Sequence, residues 1–230
     1  MGQIAAIIFD LDGTLYTSRG LAAEIHRVAC LALALQLGAG VGDAEERLAA
    51  TKRTITSRTG REATLSAACE ELGCDIRALH RYLAAEIVPE PFLQRDERVV
   101  AMLDRMSEAY SLYVYTNNNI PLSKKIMAAI GVERSIRKLF TIEYMWRSKP
   151  DRVALEGIYS IIGVGPGGCL FVGDRYDVDL RLPEEMGSRV FLTKTVDELL
   201  CLEGFVGSLR GDITAGDSRV CGNIKRGGIQ

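Results

Sequence analysis

Two aspartates separated by one residue, Asp10 and Asp12, close an apolar run over 4–9 and are followed by Gly13. The run reads as a buried strand, and strand residues i and i+2 point the same way. Both carboxylates therefore start on one side of a strand tip, where they repel and call for a cation or a shared proton. Gly13 allows a sharp change of direction. The pattern fits a hard-metal or acid/base site, and taken alone it also fits a solvated acidic turn.

Further polar residues stand at the ends of later apolar runs. Thr116 and Asn117 follow the run 112–115, and Asp174 follows 169–172 and Gly173. Asp177 and Asp179 come close behind, and Lys149 directly precedes Pro150. Open α/β sheets bind ligands at the carboxyl ends of their strands. A lysine beside a helix N-terminus is locally unfavourable unless negative charge lies near. Asp10 and Asp174 supply hard oxygens of the kind Mg²⁺ prefers, with room left for water and one phosphate oxygen. The Thr116 hydroxyl and the amides around Asn117 can hold phosphate oxygens at a helix start. Lys149 offsets the charge of carboxylate plus phosphate. A carboxylate can also attack phosphorus to form an acyl-phosphate. A second one, Asp12, can protonate the leaving oxygen and later activate water.

The elements that would carry these residues fall into two patterns. Between about 17 and 91 no strand is evident. Helices are expected over 21–37, from 44 to about 60 with Asp43 as cap, and over 63–72 and 76–88. From 92 onward the pattern alternates. Helices are expected over 97–106, 121–130, 150–162, 177–186 and 196–202, and strands over 112–115, 139–142, 169–172 and 189–192. Such alternation means a parallel sheet with helices on both faces. The expected fold is a three-layer α/β/α Rossmann-like core, residues 1–16 and 92–202, with an inserted all-helical cap over 17–91. Residues 203–230, rich in Gly and polar groups, read as a flexible tail or a small irregular cap on the sheet edge, without a functional signal, and Arg210-Gly211-Asp212 as a plain loop.

The ordered set Asp10-Leu11-Asp12-Gly13-Thr14-Leu15, Thr116-Asn117, Ser148-Lys149-Pro150 and Gly173-Asp174 through Asp179 resembles the four motifs of the haloacid dehalogenase-like superfamily, over roughly 4–200. The helical segment sits where that family inserts its C1-type cap. The resemblance implies a nucleophile at Asp10 and a general acid/base at Asp12, whose main-chain carbonyl also ligates Mg²⁺. It implies phosphate-binding roles for Thr116 and Lys149 and a metal ligand at Asp174. Asp179 or Asp177 would be the second acid of the last motif. The expected activity is Mg²⁺-dependent hydrolysis of small phosphomonoesters, nucleoside monophosphates or sugar phosphates, through a phosphoaspartyl intermediate. A 2-haloacid dehalogenase, a phosphomutase and a phospho-receiver domain are the alternatives. The dehalogenase needs neither metal nor leaving-group acid, and the receiver is disfavoured by the long helical insertion.

The 230 residues carry a net charge of −2, which gives no basic field for a nucleic-acid polymer. No apolar run approaches the roughly 20 residues of a membrane span, and no signal peptide is read at the N-terminus. Six scattered cysteines without a C-x-x-C pair fit reduced thiols in the cytoplasm. A small phosphorylated metabolite is the expected partner. Lys52, Arg53, Arg58 and Arg61 in the helical segment form either a solvated face or a contact to a substrate's second anionic group. Tyr16 is placed at the site entrance or in linker packing. His26 and His80 are isolated and read as surface or packing residues, and the glycines at 163, 165, 167 and 168 as a plain connection.

Overall fold

The computed structural model describes residues 3–210. Five strands form one parallel sheet in the order β3-β2-β1-β4-β5: β1 Ala6–Phe9, β2 Ser111–Tyr115, β3 Lys138–Phe140, β4 Cys169–Gly173 and β5 Arg189–Leu192. β1 is central, pairing Phe9 with Val114 on one side and Val172 on the other. Its two neighbours therefore end level with it, and Asp10, Thr116 and Asp174 emerge at one edge.

Side chains alternate across the sheet, as strand geometry requires. Ile7, Phe9, Leu112, Val114, Leu170 and Val172 face one apolar cluster, while Ala6, Ile8, Tyr113, Tyr115, Cys169 and Phe171 face the other. The first cluster is closed by α5 Glu97–Ala109 and α6 Ile120–Ile130, the second by α7 Arg152–Ile162. These are the three expected layers.

Between β1 and α5 lie four helices: α1 Arg19–Leu37, α2 Val41–Thr59, α3 Leu65–Glu71 and α4 Ile76–Glu86. Their buried residues, among them Leu33, Leu48, Cys69 and Leu79, continue the first cluster. Helix α1 is long and apolar enough to cross a membrane by length and composition, a property that reading the apolar runs missed. Here Leu21, Val28, Ala29, Cys30, Ala32, Leu33 and Ala34 are buried, as in a core helix.

Several helix ends differ from the sequence reading. Helix α2 is capped by Gly40, and Asp43 sits in its first turn, paired with Arg47 at 2.9 Å. Helix α7 begins after Asp151, whose side chain accepts from the Ala154 N–H, so Pro150 stays outside it. The expected helix 177–186 is a π-helical turn, Tyr176–Leu180, followed by α8 Arg181–Glu185, a restart in keeping with Pro183.

The C-terminal segment needs a larger correction. After α9 Val196–Leu199, helix α10 runs Leu202–Arg210 through what reads as the start of a tail. Leu202, Phe205, Val206 and Leu209 recur at helical spacing and pack on the first cluster. That stripe outweighs the helix-weakening glycines at 204 and 207. Gly211, Asp212 and Cys221 lie outside the described residues, and the cysteines within them are free thiols.

Candidate active site

Asp10 is the first residue past β1, and its N–H donates to the Val172 carbonyl at 2.8 Å, continuing the ladder. Its carboxylate is buried. Oδ1 accepts from Lys149 Nζ at 2.6 Å, and Oδ2 has only a 3.4 Å contact from the Thr14 hydroxyl. Lys149 also donates to Asp179 Oδ1 at 2.7 Å and to the Tyr115 carbonyl at 2.9 Å. Its ammonium lies 5.2 Å from the centre of the Tyr115 ring, a favourable cation–π placement. The lysine's unfavourable place in the sequence is thus explained by two carboxylates rather than by the helix end.

Charge and burial oppose each other here. Asp10 is raised to about 7: burial pushes it up most, Lys149 pulls it down, and Asp179 pushes it up. Burial works against the Lys149 charge, but Asp10 and Asp179 outweigh it and hold the ammonium above its usual value. Asp174 is also raised, chiefly by burial, with Arg175 opposing.

Two glycines let the acids converge. At Gly13 φ is +85° and a Cβ would stand 2.7 Å from Asp174 Oδ2. At Gly173 a Cβ would stand 2.5 Å from the Asp179 Cβ. Oxygens of Asp10, Asp174 and Asp179 lie within 4.8 Å of one another. Asp174 Oδ1 is buried without a hydrogen-bond partner. A converging set of hard oxygens with one orphaned acceptor fits a divalent cation.

Asp12 is held on both oxygens. Oδ1 accepts from the Tyr16 hydroxyl at 2.5 Å, and Oδ2 from Asn118 Nδ2 at 2.7 Å and Thr116 Oγ1 at 3.3 Å. Tyr16 is thereby kept protonated: burial, then the Asp12 charge, raise it well above its usual range. Asn117 Oδ1 accepts from the Lys149 N–H at 2.7 Å, while its Nδ2 is buried without a partner.

The sheet edge therefore brings together Asp10, Asp12, Thr116, Asn117, Lys149, Asp174 and Asp179. Asp177 stands apart in an ion pair with Arg181, whereas Asp179 lies with Lys149 and Asp10. Sequence reasoning missed Asn118, Arg175 and Lys194. Arg175 lies 3.9 Å from both Asp174 and Asp179, and Lys194 donates to the Asp174 carbonyl. Asn118 was visible as the next residue of the Thr116-Asn117 turn. Arg175 and Lys194 carried no pattern to mark them.

A cleft of about 700 Å³ joins this edge to the inserted helices. Ser18, Arg19, His26, Lys52, Glu62, Ser66 and His80 line its far wall. Of Lys52, Arg53, Arg58 and Arg61, only Lys52 lines it; Arg58 pairs with Glu71 at 2.9 Å.

Helix α4 docks the inserted helices on the core. Asn119 Nδ2 donates to the His80 carbonyl at 3.0 Å, and Lys125 donates to the Ala84 and Ile87 carbonyls. His80 is buried beside Ser66 at 3.1 Å, and burial lowers its imidazole to about 4. As pH falls below 6.5 the unfolded chain takes up a proton that folded His80 refuses until about 4, so stability is lost across that window. Between pH 7 and 4.5 the wild type should lose about 2 kcal/mol more than His80→Asn, measured by urea unfolding.

A family model described as haloacid dehalogenase-like hydrolase matches residues 4–187. No curated protein matches. Among solved structures, a HAD phosphatase from Thermococcus onnurineus is 19% identical, with a TM-score of 0.60, covering 89% of this chain and 98% of that one. A 2-haloacid dehalogenase from Pseudomonas syringae pv. Tomato DC3000 is 18% identical, with a TM-score of 0.55 and coverage of 90% and 100%. A predicted phosphoglycolate phosphatase from Haemophilus somnus 129pt is 21% identical, with a TM-score of 0.53 and coverage of 83% and 85%.

Proposed function

Because the chain belongs to the haloacid dehalogenase-like hydrolases, we propose that it is a Mg²⁺-dependent phosphatase of small phosphomonoesters, nucleoside monophosphates or sugar phosphates. The reaction would pass through a phosphoaspartyl intermediate on Asp10. The observation that carries this reading is the convergence of Asp10, Asp174 and Asp179, with a buried Asp174 Oδ1 that accepts no hydrogen bond. Asp10, Asp174 and the Asp12 carbonyl would hold Mg²⁺, with Asp179 in support. When bound, the ion supplies positive charge against the transferring phosphoryl group.

The chain's own residues perform the steps. Lys149 engages Asp10 Oδ1, which leaves Oδ2 to attack phosphorus as the bond to the leaving oxygen breaks. Asp12 gives its proton to that oxygen. It then takes one from the water that cleaves the acyl-phosphate, and phosphate and free Asp10 result. Thr116, Asn117 and Lys149 hold the phosphoryl oxygens, for which Lys149 exchanges one of the three acceptors its ammonium now serves. Since both Asp12 oxygens are engaged, substrate must displace one of their donors. The helices of residues 17–91 act as a cap that closes over the cleft and excludes water. A cytoplasmic setting suits the free thiols.

A 2-haloacid dehalogenase is the second reading, favoured by the likeness to the Pseudomonas enzyme. It would have no use for the three donors that fix Asp12. A phosphomutase shares every residue named and differs only in returning the phosphoryl group to a sugar. The test is inorganic phosphate release from a broad panel of phosphomonoesters, with Mg²⁺ and after chelation, beside halide release from 2-chloropropionate. Phosphate release that needs Mg²⁺ is expected. Halide release with no phosphate release would reverse the assignment.

A further inference from the structure

The two walls of the cleft differ in how their charges are used. On the core wall Lys149 is committed to Asp10 and Asp179, and Lys194 to the Asp174 carbonyl. Glu62, from the loop between α2 and α3, acts on Arg175, which also faces Asp174 and Asp179. His26 lies 3.6 Å from Glu45. Two cations are left over. Arg19 and Lys52 line the same cleft as Asp10 and Thr116. Among the described residues neither side chain has a hydrogen bond or ion pair, whereas Arg27, Arg47 and Arg58 on the same helices are each paired with an acid; Arg53 on α2 is likewise unpaired but does not line the cleft. No acid stands in the first turn of α1 to compensate Arg19. Lys52 is half-buried and Arg19 exposed.

The lining also limits what the leaving group can be. Tyr16 is the one benzenoid ring among the lining residues; it is 7% exposed, and its hydroxyl is spent on Asp12. A nucleobase would find no free benzenoid ring to stack on, only the imidazole of His26, which lies 3.6 Å from Glu45, the other lining imidazole, His80, being buried. An anionic group would find two uncommitted cations, which make the strong, charge-assisted kind of hydrogen bond.

We infer that the cap wall is a subsite for a second anion, carboxylate or phosphate, on the leaving group, held by Lys52 and Arg19. The preferred substrates are therefore short phosphomonoesters with an anionic tail. This rests on the phosphatase reading and narrows it.

Two measurements test it on the full-length enzyme with Mg²⁺. The first is kcat/KM for matched short esters ending in a carboxylate, a second phosphate or a neutral hydroxymethyl group, with p-nitrophenyl phosphate as reference. At least one anionic tail is expected to be preferred about tenfold or more over the neutral one, mainly through KM, and the better of the two identifies the anion. Lys52→Gln and Arg19→Gln should each cut that preference ratio about tenfold. The second is calorimetric binding of phosphonoacetate against methylphosphonate, neither of which requires turnover. The carboxylate-tailed probe, phosphonoacetate, should bind about tenfold more tightly than methylphosphonate to the wild type, and this advantage should shrink in both variants. Equal kcat/KM across the tails with equal phosphonate affinities would overturn the subsite while leaving the phosphatase reading intact. Absence of both turnover and phosphonate binding would overturn both.

Discussion

Replacing Asp10 with Asn is expected to lower kcat for every phosphomonoester by at least ~10⁴-fold and to leave the fold intact, because covalent catalysis loses its nucleophile. The amide keeps the shape of the carboxylate but cannot attack phosphorus. Lys149 retains Asp179 at 2.7 Å and the Tyr115 carbonyl at 2.9 Å, so no buried cation is left alone. Burial already disfavours the Asp10 charge in the absence of a cation. The variant should therefore unfold in urea within about 1 kcal/mol of the wild type, or slightly above it, the usual trade between stability and function at an active site. Single-turnover assays with acid quench should trap labelled phosphoryl on wild-type protein and none on the variant. Retention of more than about a hundredth of the wild-type rate would remove Asp10 as nucleophile.

What could be read from the sequence was whatever local chemistry dictates. Phe9 before Asp10 and Val172 before Gly173-Asp174 mark strand ends, because apolar runs stop where polar groups begin. β1 pairs with both flanking strands in register, so acids that look separate in sequence meet at one edge. Gly13 was legible as a turn, although its contact with Asp174 was not. Tertiary pairing was harder to foresee. Asp177 and Asp179 are equivalent in one dimension, and the π-helical turn Tyr176–Leu180 sends one to Arg181 and the other to Lys149. Four basic residues looked alike in the helical segment until Glu71 claimed Arg58 and the cleft wall took Lys52. Helix α10 was missed because two glycines masked a short apolar stripe that packs on Phe191 of the preceding strand β5.

Lys149→Met tests the electrostatic centre of that arrangement. The lysine, 3% exposed at its side chain, is the one ammonium between Asp10 and Asp179, each equally buried. Methionine fills similar space and cannot donate, so two carboxylates would face each other in a water-poor site. Removing one partner of a buried ion pair costs ~3–5 kcal/mol, mainly from the charge left behind. The urea midpoint should fall accordingly. Adding Asp10→Asn to Lys149→Met should restore much of the loss, because one of the two opposed charges is gone, and a double-mutant cycle reads that coupling directly. Mg²⁺ should raise the single variant's midpoint if the Asp10–Asp174–Asp179 cluster binds it, since a ligand of the native state stabilises by mass action. Turnover should fall ~10²–10³-fold, the scale of losing one preorganised donor to a developing negative charge. A variant as stable as the wild type, with unchanged kcat, would mean that the Lys149 charge is dispensable. The acids would then have to be neutralised by another group.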